Sequence, residues 1–159
     1  MFRTNDELDE VDLALLSALR VNARATNRQL AFAAGVAEST SHTRVQRLEE
    51  RGVIAGYEAV VRQRELGAGL QAVIGVTLRA GARQASITEF STKVRALPEV
   101  TQMFFLGSSE DFLVHVAVSD SSALRTFVVE NLSGNPTVAS TRTSIIIEYS
   151  RNTSTASFG

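Results

Sequence analysis

The spacing of apolar residues changes its period once along the chain, near the glycines at positions 67 and 69. Up to about residue 52, apolar residues recur every three to four positions, which is the period of an amphipathic helix. From residue 70 onwards, short alternating runs rich in β-branched residues are separated by two helical stretches. The 159 residues therefore predict two small structural units, an all-helical one followed by an α+β one.

The first unit is predicted to contain three helices: one over about residues 9–22, a second between residue 26 or 27 and residue 35, and a third over about residues 38–51. Thr26 or Asn27 can cap the second helix, and Gly35 can end it in a left-handed conformation. A short turn of this kind between two helices is typical of a helix-turn-helix. The alternating stretch that follows predicts a short hairpin or extended strand around Gly56, which would complete a winged helix-turn-helix.

The second unit is predicted to have the strand and helix order βαββαβ, as in a ferredoxin-like fold. Its strands are expected over residues 70–80, 100–107, 112–119 and 138–150, and its helices over residues 83–98 and 121–134. The predicted domains are a helix-turn-helix at 1–61, a linker at 62–69, the βαββαβ unit at 70–150 and a loose tail at 151–159. The predicted fold class is α+β.

The composition excludes several classes of protein. The chain has no cysteine, and its two histidines lie 73 positions apart, so no disulfide and no His/Cys metal motif is possible. It contains no Gly-x-Ser-x-Gly, P-loop or dinucleotide-binding motif, so neither an enzyme activity nor a cofactor is expected. The acidic N-terminus is not a secretory signal, and no apolar stretch approaches the roughly 18 residues of a membrane span. A cytoplasmic protein without membrane contact is therefore expected.

Charge is distributed unevenly along a chain whose net charge is -1. Residues 1–19 carry one arginine against five acidic residues, a balance of -4. Residues 20–64 carry eight arginines against four glutamates, a balance of +4. A basic segment within a neutral chain favours contact with nucleic-acid phosphates, although such a segment is also typical of a solvated surface.

The third predicted helix divides into two faces when its residues are placed at about 100° intervals. Ser41, Val45 and Leu48 share one face, which is therefore predicted to be packed. On the opposite side, short Ser and Thr side chains near the helix start allow close approach to base edges in the major groove. The residues predicted to contact DNA are Arg28 in the second helix and Ser39, Thr40, His42, Thr43, Arg44, Gln46 and Arg47 in the third. The alternative is a solvated helix whose hydroxyl residues contact no partner.

Several motifs of the first unit resemble the DNA-binding domain of the Lrp/AsnC (feast/famine) transcriptional regulators. They are LDxxD from Leu8, the AR pair at 23–24 and RVQRLEERGVIxGY at 44–57. The βαββαβ unit resembles the effector-binding and oligomerisation domain of the same family, which is related in shape to ACT domains. The resemblance covers about residues 8–150, and it implies a regulator that binds specific sequences of double-stranded DNA. From their places on the third helix, Arg44 and Arg47 are predicted to reach phosphates or a guanine edge.

The resemblance also implies a ligand site in the turn between the two central strands, FLGSSEDFLVHV. In the family, a Gly-x-x-Asp-Tyr/Phe turn at this place borders the pocket for a free amino acid. Ser108 stands where the family usually has glycine, and a positive φ at a serine costs about 1 kcal/mol or more. The residues expected to contact the effector are Gly107, Ser108, Ser109, Glu110, Asp111, Phe112 and, on the last strand, Thr143. The alternative is a tight turn in which Asp111 bonds its own backbone.

The apolar strands of the second unit favour self-association, because an isolated ferredoxin-like unit leaves an edge strand and one sheet face uncovered. A twofold dimer would present two recognition helices to neighbouring half-sites on DNA. The resemblance implies that dimers assemble further into octamers or similar rings, and that an amino acid bound between subunits changes DNA affinity. Two alternatives stay open: an architectural DNA-binding protein without an effector, and a metabolite-binding module whose helices contact other proteins.

Overall fold

The computed structural model describes residues 8–82 and 84–148. These residues form two compact units, which divide between Val60 and Val61. The predicted tail at 151–159 lies outside the described residues, as do positions 1–7, 83, 149 and 150 of the predicted domains. No described helix is both long enough and apolar enough to cross a membrane.

Three helices form the first unit, as the apolar spacing predicts: α1 (Glu10–Val21), α2 (Asn27–Ala34) and α3 (Glu38–Glu50). Thr26 caps α2, because its hydroxyl accepts from the Gln29 N–H while the Gln29 side chain accepts from the Thr26 N–H. Gly35 ends α2 with a φ of 66°, the predicted left-handed conformation. The helices enclose a small core of buried leucines, Leu15, Leu19 and Leu30.

The hairpin or strand predicted around Gly56 does not form in the described part of the chain, where residues 53–60 pair with no strand. A two-stranded hairpin on its own is only marginally stable in water. The segment instead packs against the helices and is hydrogen-bonded to them. Ile54 packs against the helical core, and the Tyr57 hydroxyl donates to Glu49 Oε1 of α3 over 2.6 Å. Burial, together with this bond, raises the pKa of Tyr57 to about 12.

A short 3-10 helix, Gln63–Leu66, occupies the middle of the predicted linker. Gly67 ends it with a φ of 79°. Gly67 therefore terminates a short helix, and the predicted linker is not irregular throughout.

The second unit has the predicted order βαββαβ. Its strands are β1 (Leu70–Leu78), β2 (Val100–Phe105), β3 (Phe112–Val118) and β4 (Val138–Ile145). Its helices are α4 (Gln84–Arg95) and α5 (Ser121–Phe127), and α5 continues into a π-helical segment, Val128–Ser133. The strands form one antiparallel sheet in the order β2-β3-β1-β4. β4 ends earlier than predicted, since the partner of Ile145 is Ala72, near the start of β1.

The helices cover one face of this sheet. On that face, Val114 of β3 is 0% exposed and belongs to the same buried cluster as Phe90 of α4. Neighbouring residues along a strand point to opposite faces. Gly75 of β1 therefore lies on the second face, opposite Leu113 on one side and Arg142 on the other.

Candidate DNA interface and ligand turn

The polar side chains of α3 lie on the face that its packing leaves exposed. Ser41 and Leu48 are 0% exposed and Val45 packs against the helical core, so the predicted packed face is confirmed. The predicted DNA contacts that line one shallow surface depression are Ser39, Thr40, Thr43, Arg44 and Arg47. The predicted contacts that are exposed but do not line it are Arg28, His42 and Gln46.

The first turn of α3 has no side-chain cap, because its N-cap position is Ala37. Asn27 of α2 holds this turn from outside, since its Nδ2 donates to the Glu38 carbonyl over 2.7 Å. Within the helix, the Thr43 hydroxyl donates to the Ser39 carbonyl over 3.0 Å. This end of α3 therefore presents backbone donors without side-chain partners beside hydroxyl acceptors, a combination that suits phosphates and base edges.

Two arginines of α3 form ion pairs with the start of α1. Arg44 Nη1 lies 2.5 Å from Asp9 Oδ2 and 2.9 Å from Asp12 Oδ1. Arg47 Nη2 lies 3.6 Å from Asp12 Oδ2. The Asp12 side chain is 1% exposed, so α3 supplies the positive charge that a buried carboxylate needs. A phosphate contact by Arg44 stays a prediction, because this guanidinium already has two carboxylate partners.

The two aspartates hold the arginines of α3, and the sequence prediction of the site leaves them out. The Asp12 N–H donates to Asp9 Oδ1 over 2.9 Å, and the Asp9 N–H donates to Asp12 Oδ2 over 3.4 Å. The bond from the Asp12 backbone lowers the pKa of Asp9, and Arg44 lowers it further. Asp9 and then Asp12 raise the pKa of Arg44. The signal for this cluster is the spacing of three in LDxxD, which is the spacing of a capping box.

The turn between β2 and β3, residues 106–111, is hydrogen-bonded to β1. The Leu106 N–H donates to the Asp111 carbonyl over 2.7 Å and closes the turn. The Asp111 N–H donates to the Val76 carbonyl over 2.9 Å, and Asp111 Oδ2 accepts from the Leu78 N–H over 2.7 Å. The Asp111 carboxylate therefore holds the backbone of β1, and not its own backbone as the alternative interpretation expects.

Ser108 takes the position of the family glycine without backbone strain. No non-glycine residue in the described ranges has a positive φ, so the cost of a positive φ does not arise at Ser108. Its hydroxyl donates to the Glu110 carbonyl over 3.1 Å and accepts from the Glu110 N–H over 3.4 Å. Gly107, Ser108 and Ser109 are exposed, so the turn presents two hydroxyls on its surface.

Two of the predicted effector contacts, Phe112 and Thr143, lie outside the turn. Phe112 is 2% exposed, and its ring centroid lies 5.4 Å from that of Phe90 and 4.9 Å from that of Phe105. The Phe112 ring is therefore part of the core. Thr143 is exposed on β4, where it lies opposite Ile74 in the ladder. Among the predicted effector contacts, the turn residues form a common surface, and the Phe112 ring is not part of it.

Glu110 pairs with Arg142 of β4, a residue that the sequence pattern does not single out. Arg142 Nε donates to Glu110 Oε1 over 3.0 Å, and Arg142 Nη2 contacts the same oxygen. The Glu110 side chain is 19% exposed although it belongs to a surface turn. The pair is 32 positions apart in sequence and depends on the register between β1 and β4, so no local pattern reveals it.

His115 of β3 lies on the same face of the sheet as Gly75. Its Nε2 lies 2.9 Å from Gln71 Oε1 of β1. Burial lowers the pKa of His115 below its usual value. The imidazole is therefore held in its neutral form near pH 7, as one member of a polar pair on this face.

Two family models match the chain, one for each unit. Residues 8–49 match the AsnC-type helix-turn-helix domain. Residues 71–155 match the Lrp/AsnC ligand binding domain. The boundary between the two matches falls within the interval that contains the 3-10 helix.

Known proteins resemble the chain over most of its length. The chain is 44% identical to the HTH-type transcriptional regulator AldR of Mycolicibacterium smegmatis, over 93% of this chain and 86% of that protein. It is 32% identical to the leucine-responsive regulatory protein of Escherichia coli, over 92% of this chain and 88% of that protein. A solved structure of a transcriptional regulator from Neisseria meningitidis, in complex with L-Met, is 30% identical. It superposes with a TM-score of 0.85 over 93% of this chain and 95% of that chain.

Proposed function

The chain belongs to the Lrp/AsnC family of transcriptional regulators, and we propose that it binds duplex DNA through α3 and a free amino acid beside the 106–111 turn. The family's helix-turn-helix and its ligand-binding domain are both present. We also propose that binding of the amino acid changes the affinity for DNA, because the two sites are coupled. A regulator of this kind acts on chromosomal DNA, so we place it in the cytoplasm.

The observation that carries the DNA side of the proposal is the division of α3 into a buried face and an exposed polar face. Thr40 and Thr43 are short exposed residues near the helix start, where a recognition helix approaches base edges. Arg47, one turn further on, has a side chain that is 49% exposed. We assign the two threonines to base edges and Arg47 to a phosphate or a guanine edge.

Groups that suit a zwitterion support the ligand side of the proposal. The Asp111 carboxylate can accept from an ammonium group, and the Ser108 and Ser109 hydroxyls can donate to a carboxylate. The related protein of Neisseria meningitidis is known in complex with L-Met, which is an α-amino acid. We therefore assign the effector to the class of free α-amino acids.

Exposed apolar side chains of the second unit support self-association. Phe104 is 48% exposed, Phe105 is 68% exposed and Ile147 is 98% exposed. Phe104 and Phe105 lie on β2 and Ile147 follows β4, the two edge strands of the sheet, and an exposed apolar edge strand is a template for pairing with another chain. We propose a homodimer that assembles further, into an octamer or a similar ring.

A thermal-shift screen of the full chain with each of the twenty amino acids tests the ligand side. We expect at least one amino acid to raise Tm, and to raise it less in Asp111→Asn. Glu130→Gln removes an exposed carboxylate elsewhere in the same unit and is the matched control, which should respond like the unchanged chain. A chain that responds to none of the twenty would instead be an architectural DNA-binding protein without an effector.

Fluorescence anisotropy with labelled duplex promoter fragments tests the DNA side. We expect affinity to fall steeply as salt rises, and Arg47→Gln to weaken binding. Arg125→Gln removes an exposed arginine from the second unit and is the matched control, which should bind like the unchanged chain. If no duplex is bound in a salt-dependent way, the chain is a metabolite-binding module whose helices contact proteins.

A further inference from the structure

A carboxylate of the chain itself lies on the second face of the sheet, beside the turn. The Glu110 side chain folds back from the turn and is 19% exposed. Both Nε and Nη2 of Arg142 reach a single oxygen of this carboxylate, Oε1. The Arg142 side chain is 75% exposed, so the partly buried negative charge is held by a cation that stays open to solvent.

Gly75 provides the floor on which this carboxylate lies. A Cβ at Gly75 would fall 2.8 Å from Glu110 Oε2 and closer still to the other two carboxyl atoms. The φ of Gly75 is not positive, so its backbone does not require glycine. Glycine within a strand weakens it and often marks a close approach of another group. Here the group that approaches is a carboxylate.

The neighbours of Gly75 in the ladder complete a small site. Leu113 of β3 lies opposite Gly75 on one side and Arg142 of β4 on the other. The site therefore has a floor without a side chain, an apolar wall and a guanidinium. Arginine recognises carboxylates through parallel N–H donors, so the site suits any carboxylate that reaches it.

We propose that Gly75 and Arg142 form a carboxylate-binding site that Glu110 fills in the absence of ligand, and that the α-carboxylate of the effector takes the place of Glu110. This inference rests on the proposed amino-acid effector. Arg142 is the residue that selects ligands bearing a carboxylate. Glu110 is a competitor tethered at high effective concentration, so it lowers the apparent affinity for the ligand.

The exchange is sterically simple and conserves charge. Glu110 is the flexible end of a side chain in a turn whose residues 107–109 are exposed, so its carboxylate can move into solvent. One negative charge leaves Arg142 and another replaces it. An amine without a carboxylate has no group for this site and does not displace Glu110.

The first experiment tests the site without the effector, through exogenous acetate. Glu110→Ala empties the site, and we expect sodium acetate to raise the Tm of this variant relative to sodium chloride at equal ionic strength. We expect no such difference in three comparisons. In the unchanged chain the site is occupied, in Glu110→Ala/Arg142→Gln the guanidinium is missing, and in Glu110→Ala/Gly75→Ala the added Cβ fills the floor. If Glu110→Ala does not fold, Glu110→Ser takes its place. An acetate effect that is absent in Glu110→Ala, or that survives in Glu110→Ala/Arg142→Gln, overturns the proposal.

The second experiment measures affinity for the amino acid that the thermal-shift screen identifies, by isothermal titration calorimetry. We expect Glu110→Gln to tighten binding about tenfold and Arg142→Gln to weaken it by about tenfold or more, the range of a charged hydrogen bond. Arg142→Lys should fall between Arg142→Gln and the unchanged chain, and the decarboxylated amine should not bind. If the amino acid binds equally to all of them, this inference is wrong while the amino-acid effector stands. If no amino acid binds any form, the proposed effector is wrong, and the acetate experiment alone decides the carboxylate site.

Discussion

The Arg44 guanidinium of α3 lies 2.9 Å from the carboxylate of Asp12 in α1, whose side chain is 1% exposed. This contact joins the helix that carries the predicted DNA contacts to the first helix of the unit. A buried carboxylate is costly unless it is paired, so the packing of α1 depends on the placement of α3. The position of α3 is therefore set by a charge pair as well as by buried leucines.

Replacing Asp12 should destabilise the first unit. Asp12→Ala leaves two arginines without a buried partner and removes half of the capping box, and we expect a loss of about 2–4 kcal/mol in the free energy of unfolding. Urea denaturation followed by circular dichroism measures this loss. The matched control is Arg28→Gln, an exposed change on α2 that should shift stability by less than about 0.5 kcal/mol. Equal stability of Asp12→Ala and the unchanged chain would show that the ion pair is incidental.

The salt dependence of DNA binding separates the two possible roles of Arg44. A phosphate contact contributes about one unit to the slope of log affinity against log salt concentration, so Arg44→Gln should lower that slope by about 1 if Arg44 leaves its aspartates for DNA. The ion pairs seen here instead predict an unchanged slope with lower stability. Thr43→Ala, one residue earlier, should leave the slope and the stability unchanged and relax the preference for particular DNA sequences.

Replacing Ser41 by alanine should stabilise the protein. Ser41 is 0% exposed, and its hydroxyl has no hydrogen-bond partner among the described residues. A buried hydroxyl without a partner is unfavourable, so Ser41→Ala should raise the free energy of unfolding by about 0.5–1 kcal/mol. Denaturant midpoints compared with Ser39→Ala, an exposed position on the same helix, measure the gain. A loss of stability in Ser41→Ala alone would mean that the hydroxyl has a partner in solution.

His115 should make the stability of the second unit depend on pH. Burial lowers the pKa of His115 in the folded chain, so the unfolded chain binds more protons as pH falls. The stability from neutral His115 is complete above an unfolded pKa of about 6.5 and declines as pH falls below it. Urea midpoints at pH 7.5 and pH 5.5 should therefore differ less in His115→Gln than in the unchanged chain. His42→Gln, on α3, should keep the full difference; a full difference in His115→Gln as well would contradict this assignment.

Features that depend on local spacing could be predicted from the sequence. Ser41 and Leu48 share a helix face because seven residues nearly complete two turns, and both are buried. The cap at Thr26 and the left-handed Gly35 follow from residue types at helix ends. The βαββαβ order follows from the alternation of strand and helix patterns along the second unit.

Features that depend on tertiary register could not be predicted in this way. Arg44 with Asp12, and Arg142 with Glu110, are both pairs 32 positions apart in sequence. Only the packing of α3 on α1 and the pairing of β4 with β1 brings their charges together. Alternation and β-branched residues predict a hairpin or extended strand around Gly56, but they do not supply the third strand or packed face that a hairpin needs.

Control of DNA binding by an amino acid is tested most directly by one titration. The full chain is titrated into a labelled duplex from its own promoter, with and without a saturating amount of the amino acid that raises Tm. Coupled sites predict that the Kd for DNA changes by at least about fivefold, in either direction. A Kd that stays the same with each of the twenty amino acids would contradict the coupling, even if the chain binds DNA tightly.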